Sequence, residues 1–256
     1  MKRIKNAVFL FIFFAAGIVS AVPAVLYASE DFSRFNEMYR GEQYEEAYKG
    51  YAAGLAKDRN NPGLWYNAGN TLYRLNRPGD AVYAYAKAFS LAPRDGDIRF
   101  NLEYAMRQTG QAFIPEGTPR ALYLMFYMFS DQELKALSAV FFWIAMLSAC
   151  AATVFSDRVR RYSVRVSVIA FMVLMFSGGW IWARHYSQFS SSAAVITETG
   201  GLKLLSGPGE NFRECASAPE GRIVRILSSS DDRYYEIGLA AEGISGWALK
   251  SGVKKL

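Results

Sequence analysis

Apolar and polar positions alternate with different periods along this chain, and the periods divide it into segments. Residues 136–155 (ALSAVFFWIAMLSACAATVF) and 166–183 (VSVIAFMVLMFSGGWIWA) carry no charge. Each is close to the roughly 20 residues an α-helix needs to cross about 30 Å of hydrocarbon. They predict two transmembrane helices within residues 131–186, joined by the turn SDRVRRYSVR. Residues 130–133 (SDQE) have the form of a capping box opening the first helix, and Trp180, Trp182 and Tyr186 form an aromatic cluster at the outer end of the second. In an antiparallel hairpin Gly178 and Gly179 would lie near Phe141 and Phe142.

Residues 29–110 show helical spacing with a longer recurrence. Trp65, Ala68, Gly69, Leu72, Ala81, Tyr85, Ala88 and Pro93 fall at the spacings of the 34-residue tetratricopeptide (TPR) pattern. The segment resembles a TPR repeat. One step of 34 back puts Ala47 and Tyr51 under Ala81 and Tyr85 and predicts a first, more degenerate repeat. One step forward puts Asn101 and Leu102 under Asn67 and Ala68 and predicts a capping helix over 97–108, stopped by Gly110. The resemblance implies a concave face that binds peptides or partner helices, with Asn36, Asn67, Asn70 and Asn101 lining it. Side-chain amides donate and accept, which suits an extended backbone. The alternative is that they are solvated helix positions. Asn36 and Asn67 match the asparagines of the family's carboxylate clamp, but Phe32, Asp97 and Asn101 stand where its basic residues would be, so a clamp is not expected. Two repeats and one helix fall short of the usual minimum of about three, so remaining apolar surface is expected to be covered by self-association, a neighbouring segment or a partner.

Residues 111–130 read as a linker (QAFIPEGTPR) followed by a short interfacial helix (ALYLMFYMFS). After a polar tether, HYSQFSSS, residues 193–256 change to short β-type runs near AAVIT, GLKLL, RIVRIL, YYEIGL and GISGWAL, which predict a small barrel. Leu202 and Leu204 before Ser206-Gly207-Pro208-Gly209, Glu220-Gly221 before Val224 and Ile226, Tyr235 and Ile237, and Gly246-Trp247 give this segment a resemblance to bacterial SH3 domains. Some of those bind peptides or cell-wall material. Tyr234 and Trp247 are a candidate aromatic groove for a peptide, against a reading in which Trp247 belongs to the barrel core.

Charge changes the picture in one respect. The formal charge is +6 over 256 residues, and much of it comes from the N-terminal MKRIK and from Arg158, Arg160, Arg161 and Arg165. These are topology signals: an arginine-rich hairpin loop stays cytoplasmic and leaves both flanks outside. No basic patch on a folded face suggests nucleic acid. Residues 1–28 read as a signal peptide cleaved after Ala24 or Ala28, or as an uncleaved anchor, since 7–27 is long enough to span. Cys150 and Cys215 give no disulfide framework, and the single histidine, His185, offers neither a metal cluster nor a catalytic couple. No enzyme activity and no cofactor are expected.

The fold class expected is therefore multidomain: an α-helical TPR array (29–110), a two-helix transmembrane hairpin (spans about 136–155 and 166–183) and an all-β SH3-like barrel (193–256). In this order the chain resembles the TPR/SH3-containing membrane proteins of bacterial aerotolerance (Bat) operons. The resemblance implies membrane-anchored von Willebrand A-type proteins and a MoxR-type ATPase as partners. From the residues alone the chain reads as a membrane-held scaffold with both soluble parts periplasmic. The alternative is a peptidoglycan-binding anchor that recruits a cell-wall enzyme.

Overall fold

The structure, a computed structural model, describes residues 32–187, 189, 190, 192–239 and 242–256. The expected signal peptide lies outside them. Helices α1 (Ser33–Arg40), α2 (Tyr44–Lys57), α3 (Pro62–Arg74), α4 (Pro78–Leu91) and α5 (Gly96–Gln108) follow one another through short turns. Their starts are set locally. Asn61 Oδ1 accepts from Leu64 N–H just before Pro62, and Asp95 Oδ1 accepts from Asp97 and Ile98 N–H, satisfying amides that a first helical turn leaves without partners.

Three of their ends repeat with the period of the sequence. Glu42, Asn76 and Gly110 are left-handed, with φ of 60°, 56° and 73°. After each, the next amide bonds back five residues: Gln43 to Met38, Arg77 to Leu72 and Gln111 to Met106. These are Schellman-type stops at 34-residue intervals. Between them small residues allow close approach; a Cβ on Gly69 would lie 2.7 Å from the Tyr85 ring.

The remaining elements are α6 (Arg120–Phe126), α7 (Asp131–Val154), α8 (Asp157–His185), and strands β1 (Ala193–Ile196), β2 (Leu202–Leu205), β3 (Glu214–Ala218), β4 (Ile223–Ser228), β5 (Tyr234–Leu239), β6 (Ile244–Leu249) and β7 (Val253–Lys255). The chain divides into two units. One contains residues 135–178, and the other joins 32–134 with 179–256.

This corrects the multidomain expectation and its SH3-like barrel. The seven strands form a single antiparallel sheet in the order β3-β2-β6-β5-β4-β1-β7, with β3 and β7 at its two edges. Strand β3 lies outside the five β-type runs expected from the sequence. Nor does the sheet form a unit apart from the helices. Val195 of β1, with Ile223 and Leu256, packs in the same core as Leu72, Tyr85, Phe89 and Leu102. Polar contacts join the same elements: Gln111 Nε2 donates to Gly221 O at 2.7 Å while its Oε1 accepts from Ile223 N at 2.8 Å. Gly79 N–H donates to Glu220 Oε1 at 3.0 Å, placing a carboxylate at the N-terminus of α4. A Cβ on Gly79 would come within 2.7 Å of Ile196 O, so only glycine permits this approach.

Two stretches expected to be polar connections contribute aromatic core. Phe113 of the linker and Phe189 of the tether meet Phe89 at ring distances of 5.5 and 5.1 Å, with Tyr123 and Tyr127 around them. The expected interfacial helix thus turns two tyrosines inward, while Leu122, Met125, Met128 and Phe129 remain exposed.

Helices α7 and α8 are long and apolar enough to cross a membrane. Only Phe155 and Ser156 separate them, so the arginine-rich segment is not a loop but the opening turns of α8. Arginine interrupts a hydrophobic run without interrupting a helix. Within residues 135–178, Ser138 Oγ lies 2.8 Å from Ser177 Oγ and Ser167 Oγ donates to Ala145 O at 3.4 Å. That register sets Gly178 near the level of Leu137 and not of Phe141, and a Cβ there would meet nothing within 4 Å. At the ends of these helices away from the turn at Phe155 and Ser156, Arg184 is buried, with its Nε 3.0 Å from Asp131 Oδ1 and its guanidinium over the Tyr127 ring at 4.9 Å.

Candidate functional site

The four asparagines singled out in the sequence come together in two hydrogen-bonded units of identical construction. In the first, Asn36 Oδ1 accepts from Tyr51 Oη at 2.6 Å and from Asn67 Nδ2 at 3.3 Å. In the second, Asn70 Oδ1 accepts from Tyr85 Oη at 2.8 Å and from Asn101 Nδ2 at 2.9 Å. Each member of the second unit lies 34 residues after its counterpart. Asn101 Nδ2 also donates to Tyr66 Oη at 3.2 Å. The asparagines sit on α1, α3 and α5, the first helices of the successive pairs, and the tyrosines on α2 and α4 behind them.

All four asparagines are half-buried, and the bonds fix their amides without exhausting them. A side-chain amide has two donor hydrogens and an acceptor oxygen with two lone pairs. After the ladder bonds, Asn36 and Asn70 retain Nδ2 donors, and Asn67 and Asn101 retain Oδ1 acceptors. Along the groove the capacity therefore alternates donor, acceptor, donor, acceptor. An extended peptide backbone presents the complementary alternation. The solvated-position alternative is at odds with the half-burial and with the bonds.

Two adjoining cavities of about 320 and 340 Å³ run over this ladder. The first is lined by Asn36, Tyr39, Arg40, Tyr51, Asn67 and Asn70. The second shares Tyr39 and Asn70 and adds Arg74, Phe100, Asn101 and Tyr104, among others. Burial, reinforced by the neighbouring Tyr39, pushes the Tyr51 hydroxyl up to about 12. Burial likewise raises Tyr85. Both remain protonated donors across the physiological range.

Sequence reasoning missed four lining residues that its own period would have found. Tyr39 and Tyr73 are 34 apart, as are Arg40 and Arg74, and all four line the groove. Tyr39 hydrogen-bonds Arg74, holding the guanidinium above its ordinary pKa. Two cations thus border the groove, on the last turns of α1 and α3, away from the positions a carboxylate clamp uses.

The second candidate groove is not assembled. Tyr234 is 1% exposed, in the interior of the unit, and cannot line a surface site. Trp247 is half-buried on β6, paired with Glu236 and Leu205. Tyr234 follows a turn in which Asp231 Oδ1 accepts from Arg233 and Tyr234 N–H, both at 2.8 Å. Tyrosine in a turn-flanked run looks accessible in sequence, and the fold buries it. Cys215 is exposed, with its thiol 3.2 Å from Leu204 O, and His185 is exposed beside Tyr186.

No family model and no curated protein matches the chain. Among solved structures it is similar to the type III secretion translocator chaperone SycD of Yersinia enterocolitica, at 16% identity over 57% of this chain and 83% of that one, with a TM-score of 0.30. It is similar to PcrH in complex with the chaperone binding region of PopD at 12% identity, over 58% and 88% of the two chains, with a TM-score of 0.30. A type III secretion complex from Aeromonas hydrophila matches at 13% identity over 59% and 83%, again with a TM-score of 0.30.

Proposed function

We propose that this chain is a non-enzymatic, membrane-anchored scaffold whose concave groove holds an extended segment of a protein partner on the periplasmic side of a bacterial inner membrane. The observation that carries the reading is the asparagine ladder, because its alternating donors and acceptors match a peptide backbone. Membrane anchoring is supported by α7 and α8, whose large side chains lie open, as with Phe171 at 58% and Met175 at 60% exposed. In water such surface is a liability, and lipid removes it. Arg158, Arg160, Arg161 and Arg165 at the start of α8 favour a cytoplasmic turn, which leaves the groove and the sheet outside.

The resemblance to Bat-operon proteins supplies a class of partner: membrane-anchored von Willebrand A-type proteins working with a MoxR-type ATPase, in envelope stress or oxygen tolerance. The alternative is a peptidoglycan-binding anchor that recruits a cell-wall enzyme, and sedimentation of the chain with purified peptidoglycan would mark it.

The test has two arms. Reporter fusions after Gly110 and after Leu256 should be active only in the periplasm, and one within residues 158–165 only in the cytoplasm. A photo-cross-linking amino acid in place of Phe100, which lines the groove, should trap a discrete envelope protein, and Asn70→Ala should weaken the adduct about tenfold. The same probe at exposed Ala53 should trap none. A cytoplasmic C-terminus, or equal adducts at both positions, would overturn the proposal.

A further inference from the structure

A second groove lies on the other side of the helical array, between α2 and α4. Its volume is about 560 Å³, within the roughly 300–1,000 Å³ typical of ligand clefts. Leu55, Ala68 and Leu72 are buried at its floor, and Tyr48, Trp65 and Tyr83 form its walls. Trp65 and Tyr83 meet edge to face at 5.6 Å, and Trp65 Nε1 donates to Arg59 O at 2.9 Å.

The charges around it do not balance. Asp80 is the one carboxylate in the lining, and it is already held on both oxygens, by Arg77 and by Lys254, each at 2.6 Å. Lys254 comes from edge strand β7, so the sheet completes this groove. Arg59 and Lys87 also line it, and neither has an ion-pair partner among the described residues. Lys87 Nζ lies 5.6 Å from the centre of the Tyr83 ring, which Lys254 Nζ approaches at 5.7 Å. Three cations therefore line the groove, against one acid that is already neutralised. Asp58, next to Arg59, is turned toward Asn60 N–H. Burial and the like charges of Arg59 and Lys255 hold the Lys87 ammonium below the usual lysine range, the condition a bound anion would relieve.

We propose that this convex groove is a second protein-docking site, which takes an acidic peptide segment of a partner: carboxylates against Lys87 and Arg59, and a neighbouring apolar side chain on the Leu55–Ala68–Leu72 floor. Charge complementarity selects the acid, and the aromatic walls and apolar floor favour a peptide over a bare anion. The site is independent of the concave groove, so both can be occupied at once.

The test uses the full chain in detergent and a fluorescein-labelled, amidated Glu-Leu-Glu-Phe-Glu peptide, followed by anisotropy. Saturable binding is expected, about tenfold tighter than for the same peptide with glutamine in place of glutamate. Arg59→Gln, on an exposed side chain that no fold contact requires, and Lys87→Gln should each weaken it by about five- to tenfold. Asn67→Ala, on the concave face, should leave it unchanged. Equal affinity for the two peptides, no loss in Arg59→Gln, or more effective displacement by an oligothymidylate or inorganic phosphate than by unlabelled acidic peptide would overturn the assignment.

Discussion

The two faces of the helical array are built on opposite plans. The concave face commits its polar side chains to one another in a unit that recurs after 34 residues, Tyr51–Asn36–Asn67 and then Tyr85–Asn70–Asn101. The convex groove does not recur. It gathers cations from a turn, a helix and an edge strand, and only the docking of β7 against α4 brings Lys254 to Asp80. The concave face is thus a property of the repeat, whereas the convex one is a property of the assembled unit. A change that loosens the sheet from the helices should harm the second before the first.

The largest expected effect asks whether both faces rest on one core. Phe89 is 1% exposed and meets Phe113, Tyr127 and Phe189 at 5.5, 5.4 and 5.1 Å. Phe89→Ala should cost about 3–5 kcal/mol in denaturant unfolding, with helix and sheet lost in a single transition. Two separate transitions, with concave binding retained in the first, would show that the array stands without the sheet.

A smaller effect separates the faces by pH. Lys87, faced by Arg59, Lys254, Asp80, Tyr48 and Tyr83 in its groove, has its pKa lowered, so affinity for the acidic peptide should fall before ordinary lysines titrate. Tyr51 moves the other way. Its folded pKa of about 12 exceeds the unfolded value of about 10, so its contribution is fully present below about pH 10 and is lost as pH rises through about 12. Unfolding measured across that window should show a fall that Tyr51→Phe makes smaller by the order of 2 kcal/mol, the remainder belonging to Tyr85, which burial also raises. Loss of the ladder before loss of acidic-peptide binding would contradict the assignment of either groove.

How far these features could be read in advance depends on whether they repeat. The 34-residue step located all four asparagines, and the structure solves the same backbone problem at that interval three times, at Glu42, Asn76 and Gly110. Applied to Tyr39 and Arg40 it would have located Tyr73 and Arg74 as well. The sheet has no such period. Strand β3, Glu214-Cys215-Ala216-Ser217-Ala218, contains no β-branched or aromatic residue, and β7 has only three residues, so five strands were visible where seven form. Phe113 and Phe189 stand in polar, turn-rich stretches, and their burial arises from tertiary packing against Phe89, Tyr123 and Tyr127. The convex groove was invisible for the same reason: Asp80 and Lys254 are neighbours through tertiary structure alone.

The smallest expected effect is also the most specific to the ladder. Tyr85 Oη and Asn101 Nδ2 donate to the same oxygen of Asn70, at 2.8 and 2.9 Å. Tyr85→Phe should cost about 1 kcal/mol, because Asn70 Oδ1 keeps its second donor. Asn101→Ala alone leaves Asn70 the tyrosine. The double variant strips both donors from a half-buried carbonyl, so its cost should exceed the sum of the singles by about 0.5 kcal/mol or more. Tyr51→Phe combined with Asn101→Ala touches two different units and should be additive within about 0.5 kcal/mol. If the coupling is equal in the two cycles, the asparagines act as one continuous strip along the groove; if it is confined to the first, each repeat presents its own pair of backbone-reading groups.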